Sequence, residues 1–280
     1  MKKPKNKIRF GFIGIGKMAQ AILAGMLRAG LVRPGEVLVS RTSATALRRI
    51  AERYGVATTT DNSEVARRAA WLWLGVKPFQ AASVLREIAP RLRQNQALLS
   101  MMAGISTATL RRWAGKNLPV VRLMPNTPAL LGAGVTGVYF SPQVPPSLKK
   151  NLLKLLKPLG ETVVVSREGL LDAVTGLSGS GPAFVYYLAQ GFIQGGLTAG
   201  LTAGQARSLA LHTLLGASRM LLESGEAPEQ LILQVATKGG TTEAGLKVLQ
   251  DKKVTSILTK AVVSAARRAA QIREQNECIP

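Results

Sequence analysis

The sequence predicts an α/β protein whose first domain is built on a mostly parallel sheet and whose second is all helix. Three observations predict it. Short β-rich runs alternate with helical patterns through the first half of the 280 residues, the rhythm of βαβ units. A glycine-rich turn separates the first run from the first helix. After about residue 165 the strand candidates give out and long helical patterns follow, so the boundary is set near Val165, dividing the chain into residues 1–165 and 166–280.

Taken in order, Ile8–Ile13 is the first strand and Met18–Ala29 has apolar residues on a helical period. Glu36–Val39 is the second strand, followed by the basic amphipathic helix Ala44–Tyr54. Trp71–Val76 reads as the third, with Trp71 and Trp73 packing it, and Gln80–Leu92 as the next helix. Ala97–Met102 and Val120–Met124 are the fourth and fifth strands. Helices are expected at Ala183–Leu197, Ala203–Glu223, Pro228–Val235, Thr241–Leu249 and Val254–Gln275. Pro182 and Pro228 suit first-turn positions, and Gly225 suits a helix stop.

Composition removes several functions. Apolar residues are 46% and charged residues 19%, enough for a core and unlike a disordered chain. One cysteine, Cys278, excludes an intramolecular disulfide framework and a Cys-based zinc site, and one histidine, His212, excludes a His cluster, so no metal is expected. The Ser178-Gly-Ser180-Gly-Pro182 run lacks G-x-S-x-G spacing and is read as a tight turn rather than a hydrolase elbow. Met1–Arg9 carries five basic residues without a following signal-peptide h-region, and no apolar window is long enough to span a bilayer. The expectation is a soluble, cytoplasmic protein.

The net charge of +22 is unevenly placed: residues 1–165 hold 26 basic and 6 acidic residues, residues 166–280 hold 11 and 9. No helix-turn-helix, zinc or RNA-binding aromatic motif accompanies the excess, so no specific nucleic acid is expected. Ala44–Tyr54, Arg67–Arg68 and Arg86–Arg93 read as a solvated basic face.

The chemistry-bearing motif is Gly11-Phe-Ile-Gly14-Ile-Gly16-Lys-Met-Ala19 at a strand-to-helix junction. Gly14 permits the turn, Gly16 lets backbone approach a pyrophosphate, Ala19 keeps helix and strand close, and the helix N-terminus faces the anion. The first domain is therefore read as a Rossmann-type dinucleotide-binding domain. Where an NAD site carries an acid, this chain has Ser40-Arg41-Thr42. Arg41 suits a 2′-phosphate, which favours NADPH over NADH, with NADH as the alternative donor.

Several segments together resemble the pyrroline-5-carboxylate reductase family: Gly14-x-Gly16-x-Met18-Ala19, Val76-Lys77-Pro78, Ala103-Gly104-Ile105-Ser106, Met124-Pro-Asn-Thr-Pro128, Asp172-Ala-Val-Thr-Gly-Leu-Ser-Gly-Ser-Gly-Pro182 and Gly239-Gly-Thr-Thr242. The resemblance implies an NADPH-dependent reductase making proline from a cyclic imine, with a helical domain that dimerises by interleaving and contributes to the substrate pocket. It implies that Ile13, Gly14, Ile15, Gly16, Lys17 and Met18 line the cofactor, with Ser40, Arg41, Thr42 and Asn62. Gly75, Val76, Lys77 and Pro78, then Met101, Met102 and Ala103, complete that lining, and Gln234 matches a position near the cofactor. It implies substrate contacts at Glu168, Gly240, Thr241 and Thr242.

The residues support that reading. The imine needs hydride, a proton on nitrogen and a fixed grip on its carboxylate. Gly239-Gly240 opens a helix whose N–H groups and positive dipole end suit a carboxylate, and Thr242 is the candidate catalytic residue, orienting substrate and relaying a proton. Asn126 and Arg122 are read as at least as much structural as functional. The chain departs from the family at Thr237-Lys238, where Ser-Pro is usual, at Leu233-Gln234, where an acid is usual, and at Ala133, where Glu is usual. Two other readings stay open: a reductase of a different cyclic imine, and a non-catalytic basic nucleotide- or nucleic-acid-associated protein.

Overall fold

Strand side chains alternate between two cores, and that alternation organises the first part of the chain. In the computed structural model, residues 7–277 and Ile279 are described; the basic tail before Lys7 and Cys278 lie outside the described residues. On β1 (Phe10–Ile13), Phe10 and Phe12 enter one core and Ile13 the other. On β2 (Val37–Ser40), Val37 and Val39 join the first core and Leu38 the second, as period-two geometry requires of a sheet covered on both faces.

The first core is closed by α1 (Lys17–Arg28), through Ala19, Ile22, Leu23 and Met26, and by α2 (Ala44–Tyr54), through Leu47 and Ile50. Next come β3 (Ala57–Thr59), α3 (Asn62–Arg68), β4 (Trp71–Leu74), α4 (Ala81–Ile88), β5 (Ala97–Ser100), α5 (Thr107–Ala114) and β6 (Val120–Pro125). Helices α3, α4 and α5 cover the second core with Val65, Leu85, Ile88, Leu110 and Trp113. Trp73 stacks on Phe12 with centroids 5.4 Å apart, and Trp71 meets Phe10 edge-on at 5.7 Å, the strand packing expected of both tryptophans.

The chain then departs from simple alternation. β7 (Gly134–Phe140) runs antiparallel to β6, α6 (Pro146–Leu156) crosses back, and β8 (Gly160–Val164) pairs parallel to β7. The eight-stranded sheet has the order β3-β2-β1-β4-β5-β6-β7-β8, parallel except at β6–β7. The order reverses between β1 and β4, so their carboxyl ends form the topological switch point.

Helix α7 (Leu170–Val174) runs into a π-helical turn, Thr175–Gly179, so this stretch is a bulged helix rather than the tight turn the sequence suggests. Ser178 donates to the Val174 carbonyl at 2.9 Å, and Thr175 to that of Leu171 at 2.7 Å. Helices α8 (Gly181–Thr198), α9 (Ala203–Ser224), α10 (Pro228–Val235), α11 (Thr241–Asp251) and α12 (Val254–Glu277) follow. Gly225 ends α9 at φ 70°, and Pro228 opens α10. His212 sits exposed on α9, its Nδ1 2.8 Å from the Ser208 carbonyl.

The described chain divides into two compact units, one taking residues through Ser180 and those from Ser264 on, the other Gly181–Val263. In the second unit α8 packs on α9, yet Ala189, Ala206 and Ala210 are the only residues of those two helices that are buried, and α10 and α11 bury none. Tyr187, Leu222 and Leu233 are 77%, 84% and 74% exposed. Apolar surface on this scale marks an interaction face. No helix among the described residues is long and apolar enough to cross a membrane.

Candidate active site

Two glycine-opened helix starts, one in each unit, organise the candidate residues. In the first unit Gly14 follows β1 at φ +79°, and a Cβ there would lie 2.8 Å from the Val76 backbone nitrogen and 2.9 Å from the Gly75 carbonyl carbon. The turn is stitched to both neighbouring strands: Gly14 N–H donates to the Ser40 carbonyl at 3.1 Å, and Gly75 N–H to that of Ile13 at 2.9 Å. The structure thus brings Ile13, Gly14, Ser40, Gly75 and Val76 together at the switch point.

Gly16 is the N-cap of α1, with no side-chain cap and no acid in the first turn. A Cβ on Gly16 would meet nothing nearer than the Gly75 carbonyl oxygen at 3.9 Å. Gln20 N–H bonds the Gly16 carbonyl at 3.0 Å, which leaves the N–H groups of Lys17 and Met18 outside the helix's own ladder. An open, uncapped helix start without competing negative charge fits a dinucleotide pyrophosphate.

The other cofactor candidates sort by how they can act. Ile13, Ile15 and Met102 are buried in the cores, so they offer backbone only. Ser40 is buried too, its hydroxyl donating to Asn62 Oδ1 at 2.7 Å while Asn62 Nδ2 donates to Glu87 at 3.1 Å. Arg41, Thr42 and Lys77 are exposed beyond the ends of β2 and β4, and Met18, Pro78, Met101 and Ala103 are half-buried. Met101 N–H bonds the Leu74 carbonyl at 3.2 Å, and its Cε would come within 3.2 Å of a Cβ on Gly75. Asn126 holds its loop, accepting from Val135 N–H at 2.9 Å.

Glu168 is placed in the first unit and its carboxylate is occupied. It accepts Thr107 N–H at 2.6 Å and the Thr107 hydroxyl at 2.8 Å, and pairs with the buried Arg122 at 3.1 Å. A direct substrate contact would have to share or displace these bonds. Nearby, Asp172 pairs with Arg273 of α12 at 2.9 Å, and this hydrogen bond holds the guanidinium pKa above its ordinary value. Neither contact is signalled locally in the sequence: Thr107 is an ordinary helix N1 threonine and Arg273 an arginine within a helical period.

In the second unit Gly240 is the N-cap of α11, extended and without a side-chain cap, after Gly239 at φ +72°. Gly240 N–H closes a turn on the Thr237 carbonyl at 3.0 Å, and Gly239 N–H donates to Glu243 at 2.6 Å. Thr241 is exposed and Thr242 half-buried in the opening turn. Lys238 is exposed, and Gln234 on α10 donates to Glu226 at 2.6 Å.

Comparison with known proteins accords with both halves. Residues 9–104 match the family described as NADP oxidoreductase, coenzyme F420-dependent, and residues 168–272 match pyrroline-5-carboxylate reductase dimerisation. The chain is 37% identical over 267 residues to the pyrroline-5-carboxylate reductase of Pseudomonas aeruginosa, covering 95% of this chain and 97% of that one. It is 34% identical to pyrroline-5-carboxylate reductase 2 of Bacillus subtilis, covering 95% and 96%. Among solved structures, the Coxiella burnetii reductase aligns with a TM-score of 0.89 at 34% identity, covering 95% of this chain and 99% of that one. The Plasmodium falciparum enzyme with NADP bound aligns with a TM-score of 0.85 at 27% identity, covering 97% and 100%. With relatives above 30% identity along nearly its whole length, the chain belongs to the pyrroline-5-carboxylate reductase family.

Proposed function

We propose that the chain reduces 1-pyrroline-5-carboxylate to L-proline, with NADPH as the preferred donor. The observation that carries this reading is the pair of uncapped, glycine-opened helix starts, one at the sheet's switch point and one bearing Thr242. The first fits a pyrophosphate, and Arg41 beyond β2 supplies the cation a 2′-phosphate needs. NADPH bound there supplies the hydride that the imine carbon accepts.

The chain's own residues do the remaining work. The N–H groups of Thr241 and Thr242, set free at the start of α11 by the Gly240 cap, hold the substrate carboxylate. The Thr242 hydroxyl orients the ring nitrogen and relays to it a proton taken up from solvent, which completes the amine and leaves the hydroxyl unchanged. Val76, Lys77 and Pro78 shape the pocket beside the cofactor, and Gln234 contributes from α10. The exposed apolar helices of the second unit pair with those of a second copy in an interleaved homodimer, so that the pocket is assembled from two subunits.

The test is NADPH oxidation with pyrroline-5-carboxylate, its six-membered homologue and an open-chain keto acid side by side. Turnover should be fastest with the five-membered imine, and absence of turnover with either imine refutes the reductase reading. Thr242→Ala should lower kcat by about a hundredfold with the NADPH KM unchanged. Wild-type kcat in that variant removes Thr242 from the chemistry.

A further inference from the structure

The loop joining β5 to α5 carries Met101, Met102 and Ala103, and the role inferred for its anchors rests on the assignment of these three residues to NADPH. The loop is pinned at three points. At its start, Met101 N–H bonds the Leu74 carbonyl at 3.2 Å. At its end, Glu168 takes the Thr107 N–H and hydroxyl. In its middle, Asn276 from the last turns of α12 donates to the Gly104 carbonyl at 2.9 Å.

The middle pin is a close fit. Gly104 has φ +71°, and a Cβ there would lie 2.7 Å from Ile272 Cγ2 and 3.2 Å from Asn276 Nδ2, so α12 lies directly against loop backbone. The helix end is anchored in turn. Arg273 bonds the buried Asp172 at 2.9 Å and Glu277 at 3.2 Å, while Arg112 of α5 donates to the carbonyls of Glu277 at 3.1 Å and Ile279 at 2.8 Å.

We propose that Asn276 and Arg273 are positioning residues for NADPH: the last turns of α12 hold the Met101–Gly104 backbone in the shape the cofactor lies against. A loop with a left-handed residue at its apex and one carbonyl fixed by a side chain is ordered before ligand arrives. Without that bond, ordering falls to the cofactor and lowers its affinity. A helix end that only stabilised the fold would leave cofactor and imine affinities changing together.

The experiment measures NADPH affinity by equilibrium titration and both KM values on the full-length enzyme. Asn276→Ala should weaken NADPH about fivefold and leave the imine KM within about twofold. Arg273→Ala should act in the same direction, and Arg273→Lys, which keeps a cation for Asp172, should recover much of the loss. NADPH affinity unchanged in Asn276→Ala, or both KM values rising together, overturns the proposal. Asn276→Ala removes a single hydrogen bond near the chain end, so it decides the matter if Arg273→Ala does not fold. Ala103→Val tests the underlying reading: unchanged NADPH affinity there takes the loop off the cofactor and the proposal with it. Weakening by Ala103→Val without weakening by Asn276→Ala removes the clamp alone.

Discussion

Helices α1 and α11 begin alike and are embedded differently. Each starts on an extended, uncapped glycine, Gly16 at φ −73° and Gly240 at φ −84°, shortly after a left-handed one. Helix α1 is held by buried Ala19, Ile22, Leu23 and Met26 and has no acid in its first turn. Helix α11 buries none of its residues and has Glu243 there, bonded to Gly239 N–H. The first is therefore a firmly packed, open helix start that suits a dianionic pyrophosphate. The second, which in the proposed reading takes one carboxylate, carries a resident negative charge and rests on a helix that buries none of its own residues.

The comparison breaks most severely at Gly14. Alanine there would force φ +79° on a residue with a Cβ and press that Cβ against backbone at Val76 and Gly75. The expected cost is about 3 kcal/mol, or at least about a hundredfold in NADPH affinity. Titration with NADPH alongside thermal unfolding separates lost binding from lost fold. Retention of affinity within about tenfold would show that the rigid turn is not where the cofactor binds.

A milder change sharpens which dinucleotide the rigid site takes. Arg41 is exposed just past β2. Arg41→Ala should raise the NADPH KM about tenfold and the NADH KM less than about twofold, since only NADPH offers a phosphate to the guanidinium. Equal effects on the two would assign Arg41 to general attraction of anions.

How much of this was legible in the sequence differs between the two units. The ranges of α2 and α10 follow directly from local signals: Ser43 caps α2 by accepting from Ala46 N–H, Gly55 stops it at φ +66°, and Pro228 opens α10. Helix α3 carried such signals, Asp61 at its N-cap and Glu64 in its first turn, but only seven residues of pattern, too few to stand out. Thr59 and Arg68 hold the Glu64 carboxyl below its ordinary pKa by hydrogen bonding, so this short helix is anchored at its start. β3 has three residues on the sheet edge, and β7 reverses direction and is interrupted by glycine, so neither shows the unbroken apolar run that marks β2 and β4.

The basic face was legible only in part. Arg67 and Arg68 pair with Asp61 and Glu64, and Arg93 donates to the Ala69 carbonyl, as Lys116 does to that of Leu92. Charge that reads as solvated is thus partly engaged at helix ends, where carbonyls lack partners. The return of α12 to the first unit was invisible, because Asn276 and Gly104 are 172 residues apart and neither sits in a periodic pattern that names the other.

The smallest change tests the resident charge at the second site. Glu243 lies in the first turn of α11, where its carboxylate takes the Gly239 N–H and opposes any second anion at the same helix end. Glu243→Gln keeps an oxygen acceptor for that N–H while removing the charge. The imine KM should then fall by about twofold, with the NADPH KM unchanged and the difference shrinking as salt is added. A rise in the imine KM would mean that the carboxylate's main task is to hold the Gly239-Gly240 turn in place, and that α11, like α1, relies on a rigid start rather than on a balance of charge.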